Sequence, residues 1–135
     1  MSNREFRYDA FISYSHTDLE WVRGRLLPVL EESGFSVAID FRDFRAGATG
    51  VEEMQRCVME SNRTIAVLSP QYVLSEWSKF ENVMAQVLDP GAIQRRLMPI
   101  LHEACNIPLR LKILQYRDVR SQSSADWALL IRDLI

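Results

Sequence analysis

The sequence is short of cysteine, of long apolar runs and of clustered basic residues, and each shortage removes a class of protein. Cys57 and Cys105 are its only cysteines, and neither belongs to a Cys-x-x-Cys or Cys-x-x-His spacing. That pattern points to reduced thiols in a reducing compartment, and no metal, zinc included, is expected. The first residues, Met1-Ser2-Asn3-Arg4-Glu5, are polar and lead straight into a strand, and no later run is long and apolar enough to span a membrane. A soluble, cytoplasmic module with no membrane partner is the expectation. A net charge of -2 without a basic cluster leaves no electrostatic footprint for nucleic acid. Internal repeats, low-complexity tracts and linkers are also missing.

What is present is the composition of a folded domain. With 47% hydrophobic and 25% charged residues, the 135-residue chain suits a single core and is too short for two. Residues 1–135 therefore read as one domain. The apolar pattern of the last helix is still running at Ile135, which implies a module cut from a longer protein.

Strand and helix signals alternate along the chain. Tyr8-Asp9-Ala10-Phe11-Ile12-Ser13-Tyr14 has the aromatic and β-branched content of a buried strand. Thr17 and Glu20 then offer a capping box, Trp21, Val22, Leu26, Val29 and Leu30 recur at helical spacing, and Gly34 suits the position just past a helix end. Pro28 predicts a kink in that helix. Residues 35–40 read as the second strand and 41–50 as an unusually long loop. Thr49 and Glu52 form a second capping box, with Met54, Cys57, Val58 and Ser61 on the packed face beyond it. Residues 64–69 are nearly all apolar, as in a central parallel strand. Pro70 can open the next helix, with Ser75 as a cap for the segment that follows. Residues 97–101 give a fourth strand, placed towards an edge or an irregularity by Pro99, and a weaker fifth strand is expected near 114–116. The last helix covers about 125–135.

This alternation predicts a flavodoxin-like, doubly wound α/β fold, with five parallel strands and helices on both faces. Ligands of such sheets bind outside the carboxyl ends of the strands. Ser15 and His16 follow the first strand, Asp40 and Phe41 the second, and Ser69 leads from the third towards Trp77 and Glu81. One rim built from three strand ends is the expectation. Trp77 and Glu81 are neighbours one helical turn apart, an arrangement more often structural than functional when seen alone.

The chain resembles the TIR domain, the module named for Toll and interleukin receptors. Tyr8-Asp9-Ala10-Phe11-Ile12-Ser13-Tyr14-Ser15 is similar to the family's first box. Arg42-Asp43-Phe44-Arg45-Ala46-Gly47 resembles the second, with Ala46 where proline is usual, and the third is at best half present as Asp126-Trp127. Receptor and adaptor members of the family are scaffolds that self-associate, whereas many bacterial, plant and axonal members cleave NAD+ and share a Trp-x-x-x-Glu element. Trp77-Ser78-Lys79-Phe80-Glu81 fits that element. The resemblance is strongest to the bacterial NAD+-cleaving members. It implies Glu81 as the catalytic carboxylate and Trp77 as its aromatic neighbour, in defence signalling switched on by association with other TIR domains. A non-enzymatic scaffold is the alternative.

The residue chemistry is compatible with that implication. The nicotinamide leaving group departs neutral and needs no general acid, so one carboxylate can suffice where most glycosidases use two. An ionised Glu81 would stabilise positive charge on the ribose, and Trp77 would pack on the cationic ring. No Gly-x-Gly-x-x-Gly follows a strand, so NAD+ is expected as substrate and no cofactor is expected. Ser15, His16, Asp40, Phe41, Arg42 and Asp43 are the further substrate-lining candidates, and Phe44, Arg45, Ala46 and Gly47 the assembly loop. His102 and Asp9 take structural readings. A receiver-like phosphoacceptor fails because it needs clustered acids where the first strand ends in Ser15 and His16.

Overall fold

The computed structural model describes residues 6–135, so the polar stretch 1–5 lies outside it. Strand β1 (Tyr8–Ser13) leads through a 3-10 turn (His16–Asp18) into α1 (Leu19–Trp21), a π-helical stretch (Val22–Leu26) and α2 (Leu27–Glu32). Then come β2 (Val37–Ala38), α3 (Asp40–Asp43), α4 (Gly50–Glu60) and β3 (Ser61–Leu68). A second π-helical stretch (Tyr72–Glu76) runs into α5 (Trp77–Val87), followed by α6 (Pro90–Arg96), β4 (Leu97–Leu101), α7 (Leu109–Lys112), β5 (Arg117–Asp118) and α8 (Ser124–Leu134). All strand pairs are parallel and the order is β2-β1-β3-β4-β5, the doubly wound arrangement expected. Among the described residues, no helix is long and apolar enough to cross a membrane.

Period-2 alternation along the central strands divides the core in two. Ala10, Ile12, Ile65, Val67 and Ile100 face α1–α2 and α8, where Val22, Leu26, Leu30, Trp127 and Leu130 cover them. Phe11, Ala66, Leu68 and Leu101 face the other way, against Cys57 and Val58 of α4, Trp77, Phe80 and Met84 of α5, and Ile93 of α6.

Several local expectations change in the structure. Ser15 caps the first helical turn, accepting from the Thr17 amide, while Thr17 spends its hydroxyl on Ser15. Pro28 is accommodated by the preceding π-helical stretch, whose wider turn lets the Leu27 amide reach the Val22 carbonyl. The expected ten-residue loop is partly helical, since α3 takes Asp40–Asp43 and leaves 44–49 irregular. Ser69, not Ser75, caps the helix opened by Pro70, because the Tyr72 amide donates to its hydroxyl and Ser75 bonds back to the Gln71 carbonyl. Pro99 lies in an interior strand, tolerated because β5 pairs with β4 only from Ile100 onward. The fifth strand falls at Arg117–Asp118, just past the expected 114–116. The Thr49–Glu52 capping box and the positive φ of Gly34 after α2 stand as read.

Candidate functional site

The strand ends do not converge on one pocket. The candidate side chains fall in two regions, one at the ends of β1 and β2 and the other between α5 and α7.

At the first region Asp40 is the hub. Its Oδ1 accepts from the Tyr14 hydroxyl at 2.7 Å and from the Phe41 amide at 2.7 Å, while its Oδ2 lies 2.8 Å from His16 Nε2. The Tyr14 and His16 rings meet edge to face with centroids 5.6 Å apart. Burial, and then the hydrogen bond and charge of Asp40, push the Tyr14 hydroxyl above the usual tyrosine range. The cleft beside Tyr14 and Asp40 is about 30 Å³ and is also lined by Phe44, Glu76, Lys79 and Phe80. It has room for water and none for a dinucleotide.

The other rim candidates here have structural employment. Ser15 is buried as a cap. Arg42 donates to the Val37 carbonyl and pairs with Glu31 at 2.9 Å, tying the end of β2 to α2, so its guanidinium is not held out for a phosphate. Asp43 accepts from the Ile39 amide at 2.8 Å across the turn of α3. Phe41 is 46% exposed, with the Arg23 guanidinium 5.0 Å from its ring centroid.

The assembly loop is anchored by a residue that the sequence reading missed. Glu53 is nearly buried and binds the Arg45 amide at 2.7 Å, Arg45 Nη2 at 3.3 Å and Arg56 Nη2 at 3.0 Å. The Arg56 guanidinium first, then the Arg45 amide and side chain, hold its carboxyl down at about 2. The signal available was Glu53 with Arg56 and Glu60 at helical spacing, which looks like any solvated face. Phe44 faces inward and stacks near Phe11, with centroids 6.3 Å apart, so it is a core anchor where an interface aromatic was expected. Ala46 and Gly47 form the exposed tip, with Gly47 at φ +90°.

The second region contains Trp77 and Glu81. Glu81 forms an ion pair with Arg110 of α7, and both line an open depression of about 500 Å³ with Trp77, Pro108, Leu109 and Ile113. The helical neighbour relation expected between Trp77 and Glu81 therefore holds. The expected free face of the indole does not, because Trp77 is only 6% exposed and packs near Tyr72, with centroids 6.4 Å apart. Tyr72 is itself fully buried and hydrogen-bonded to Ser13 at 2.8 Å. Helix geometry explains the split: Glu76, Lys79 and Phe80 line the Asp40 cleft, while Trp77 and Glu81 lie on an adjacent face of the same helix, successive residues being turned by about 100°.

This architecture is shared with known proteins. A sequence model of the TIR domain matches residues 10–134. Human Toll-like receptor 1 is 42% identical over 78 residues, which is 58% of this chain and 10% of that receptor. The TIR domain of the Toll-related receptor TRR-2 from Hydra magnipapillata superposes with a TM-score of 0.79 at 29% identity, covering 94% of this chain and 98% of that one. A metazoan TIR-STING receptor from C. gigas superposes with a TM-score of 0.81 at 27% identity, over 99% of this chain and 41% of the receptor. The chain thus spans about a tenth of the curated receptor it matches and nearly all of a solved TIR domain. The chain belongs to the TIR domain family.

Proposed function

We propose that this TIR domain is a homotypic interaction module of a cytoplasmic defence-signalling protein, acting by association with other TIR domains. The observation that carries this reading is that Asp40 and Glu81 line two separate sites, on different faces of α5, which leaves the single domain without an enclosed pocket around its candidate carboxylate. The exposed tip at Ala46 and Gly47, on a base braced by Glu53, is suited to docking because it is presented at little entropic cost. The similarity to Toll-like receptors and a Toll-related receptor points the same way. A head-to-tail contact that uses this tip and a different surface of the next copy grows with concentration. Sedimentation velocity over a dilution series tests it. The chain should associate as concentration rises. Gly47→Pro, which forces a φ near -65° where the backbone needs +90°, should stay monomeric and folded. A chain that stays monomeric throughout would refute the reading.

A second reading, NAD+ cleavage at Glu81, is favoured by one observation: Trp77, Glu81 and Arg110 line the same depression of about 500 Å³. A neighbouring copy laid across that open depression would supply the wall needed to exclude water. Arg110 would have to release Glu81 for the carboxylate to meet the ribose.

A further inference from the structure

We propose that Asp18, His102 and Glu103 form a binding site for one Zn²⁺ ion, sharing no residue with either region above and independent of the assembly reading. Asp18 follows β1, and His102 and Glu103 follow β4, so the topology brings them to the same end of the sheet. Their ligating atoms all lie within 4.8 Å of one another.

The Asp18 carboxylate, 5% exposed, is the feature that asks for a ligand. Its Oδ2 accepts from Ser69 Oγ at 2.6 Å, and His102 Nε2 lies 3.8 Å from its Oδ1, beyond hydrogen-bond distance. A carboxylate this little exposed gains from a cation placed beside it. The imidazole is held in place for the task. Its ring stacks on Trp21 with centroids 3.9 Å apart, and the amides of His102 and Glu103 both donate to the Leu68 carbonyl, at 3.0 and 3.2 Å.

The spacing fits zinc. A tetrahedral ion with the usual Zn–O and Zn–N lengths holds two such ligands about 3.4 Å apart, so the 3.8 Å between Oδ1 and Nε2 needs to close by only a few tenths of an ångström. Glu103 is exposed, so its side chain is free to close as the third ligand, leaving the fourth position to water. One imidazole with two carboxylates is a borderline-hard donor set suited to Zn²⁺, and the Ser69 hydroxyl supplies the supporting hydrogen bond that orients the Asp18 ligand. The cysteine-based argument against zinc does not touch this site, because its ligands contain no sulfur. Bound there, the ion would tie the start of the first helix to the end of β4 and stabilise the domain.

The test is titration of chelator-treated protein with Co²⁺ as a spectroscopic probe, followed by Zn²⁺ competition. Trp21 lies against the ligating ring, so its fluorescence should be quenched with saturation at one equivalent and recover as Zn²⁺ displaces Co²⁺. Zn²⁺ should also raise the melting temperature. His102→Gln should abolish the quenching, and Glu103→Gln, a surface change that spares the fold, should weaken it by roughly tenfold or more. Quenching that needs millimolar Co²⁺ would mark an adventitious ion only and overturn the proposal. So would equal binding by wild type and Glu103→Gln, which decides the matter even if the His102 variant fails to fold.

Discussion

The cleft at Asp40 and the depression at Glu81 are lined by different faces of the same helix, yet they are built on opposite principles. At Asp40 the Tyr14 hydroxyl, His16 and the Phe41 amide all converge on one carboxylate, and the space left is water-sized. At Glu81 a single ion pair stands at the mouth of an open depression walled by Leu109 and Ile113, both largely exposed. A satisfied polar network rigidifies and offers nothing to a ligand, whereas exposed apolar side chains beside one ion pair are open to a partner surface. The difference shows why strand-end position alone does not define a site in a doubly wound sheet. The face of the following helix decides which strand end a side chain serves.

The largest expected effect tests whether Trp77 belongs to the core or to the depression. Trp77→Ala should cost about 3–5 kcal/mol in urea unfolding, as for a buried aromatic packed on Tyr72. An unchanged midpoint would make the indole a functional surface and break the contrast between the regions. Next comes the loop base. Glu53→Gln should lower the melting temperature, because it leaves Arg45 and Arg56 without their shared carboxylate. The folded carboxyl is depressed, so its contribution is present in full above about 4.5 and is lost as pH falls towards about 2. Stability measured through that window should fall more steeply in the wild type than in the glutamine variant. The smallest effect belongs to the Asp40 hub, where Asp40→Asn should cost about 1 kcal/mol. Ultraviolet titration of that variant should show the Tyr14 hydroxyl ionising at lower pH than in wild type, yet still above its ordinary value of 10.0, because burial is the larger cause of its shift. In the wild type the neutral Tyr14 hydroxyl favours the fold fully below pH 10.0, and that contribution fades as pH rises beyond it. An unshifted tyrosine in Asp40→Asn would show that the hub is not coupled.

Much of this molecule was legible in its sequence, for definite reasons. The run 64–69 announced a central strand because a strand covered on both faces has no polar alternation, and Thr49-x-x-Glu52 announced a helix start because both halves of its capping box are local. Trp77 and Glu81 were correctly placed as neighbours, since helical periodicity fixes that relation. What periodicity cannot supply is the element facing them. That element is α7, only four residues long and without a strong pattern of its own. Arg110 was therefore invisible as a partner, and Ser69 and Glu53 were hidden likewise because their bonds to Asp18 and Arg45 depend on the folded chain.

The proposed role in association turns on Glu81 standing apart from the other strand-end candidates. Its most direct test is incubation of concentrated, associated protein with NAD+, with chromatography for nicotinamide in parallel with Glu81→Gln. The expected result is association without nicotinamide release above the level of the Glu81→Gln protein. Release by the wild type that vanishes in Glu81→Gln would contradict it and establish the depression beside Arg110 as a nucleosidase site.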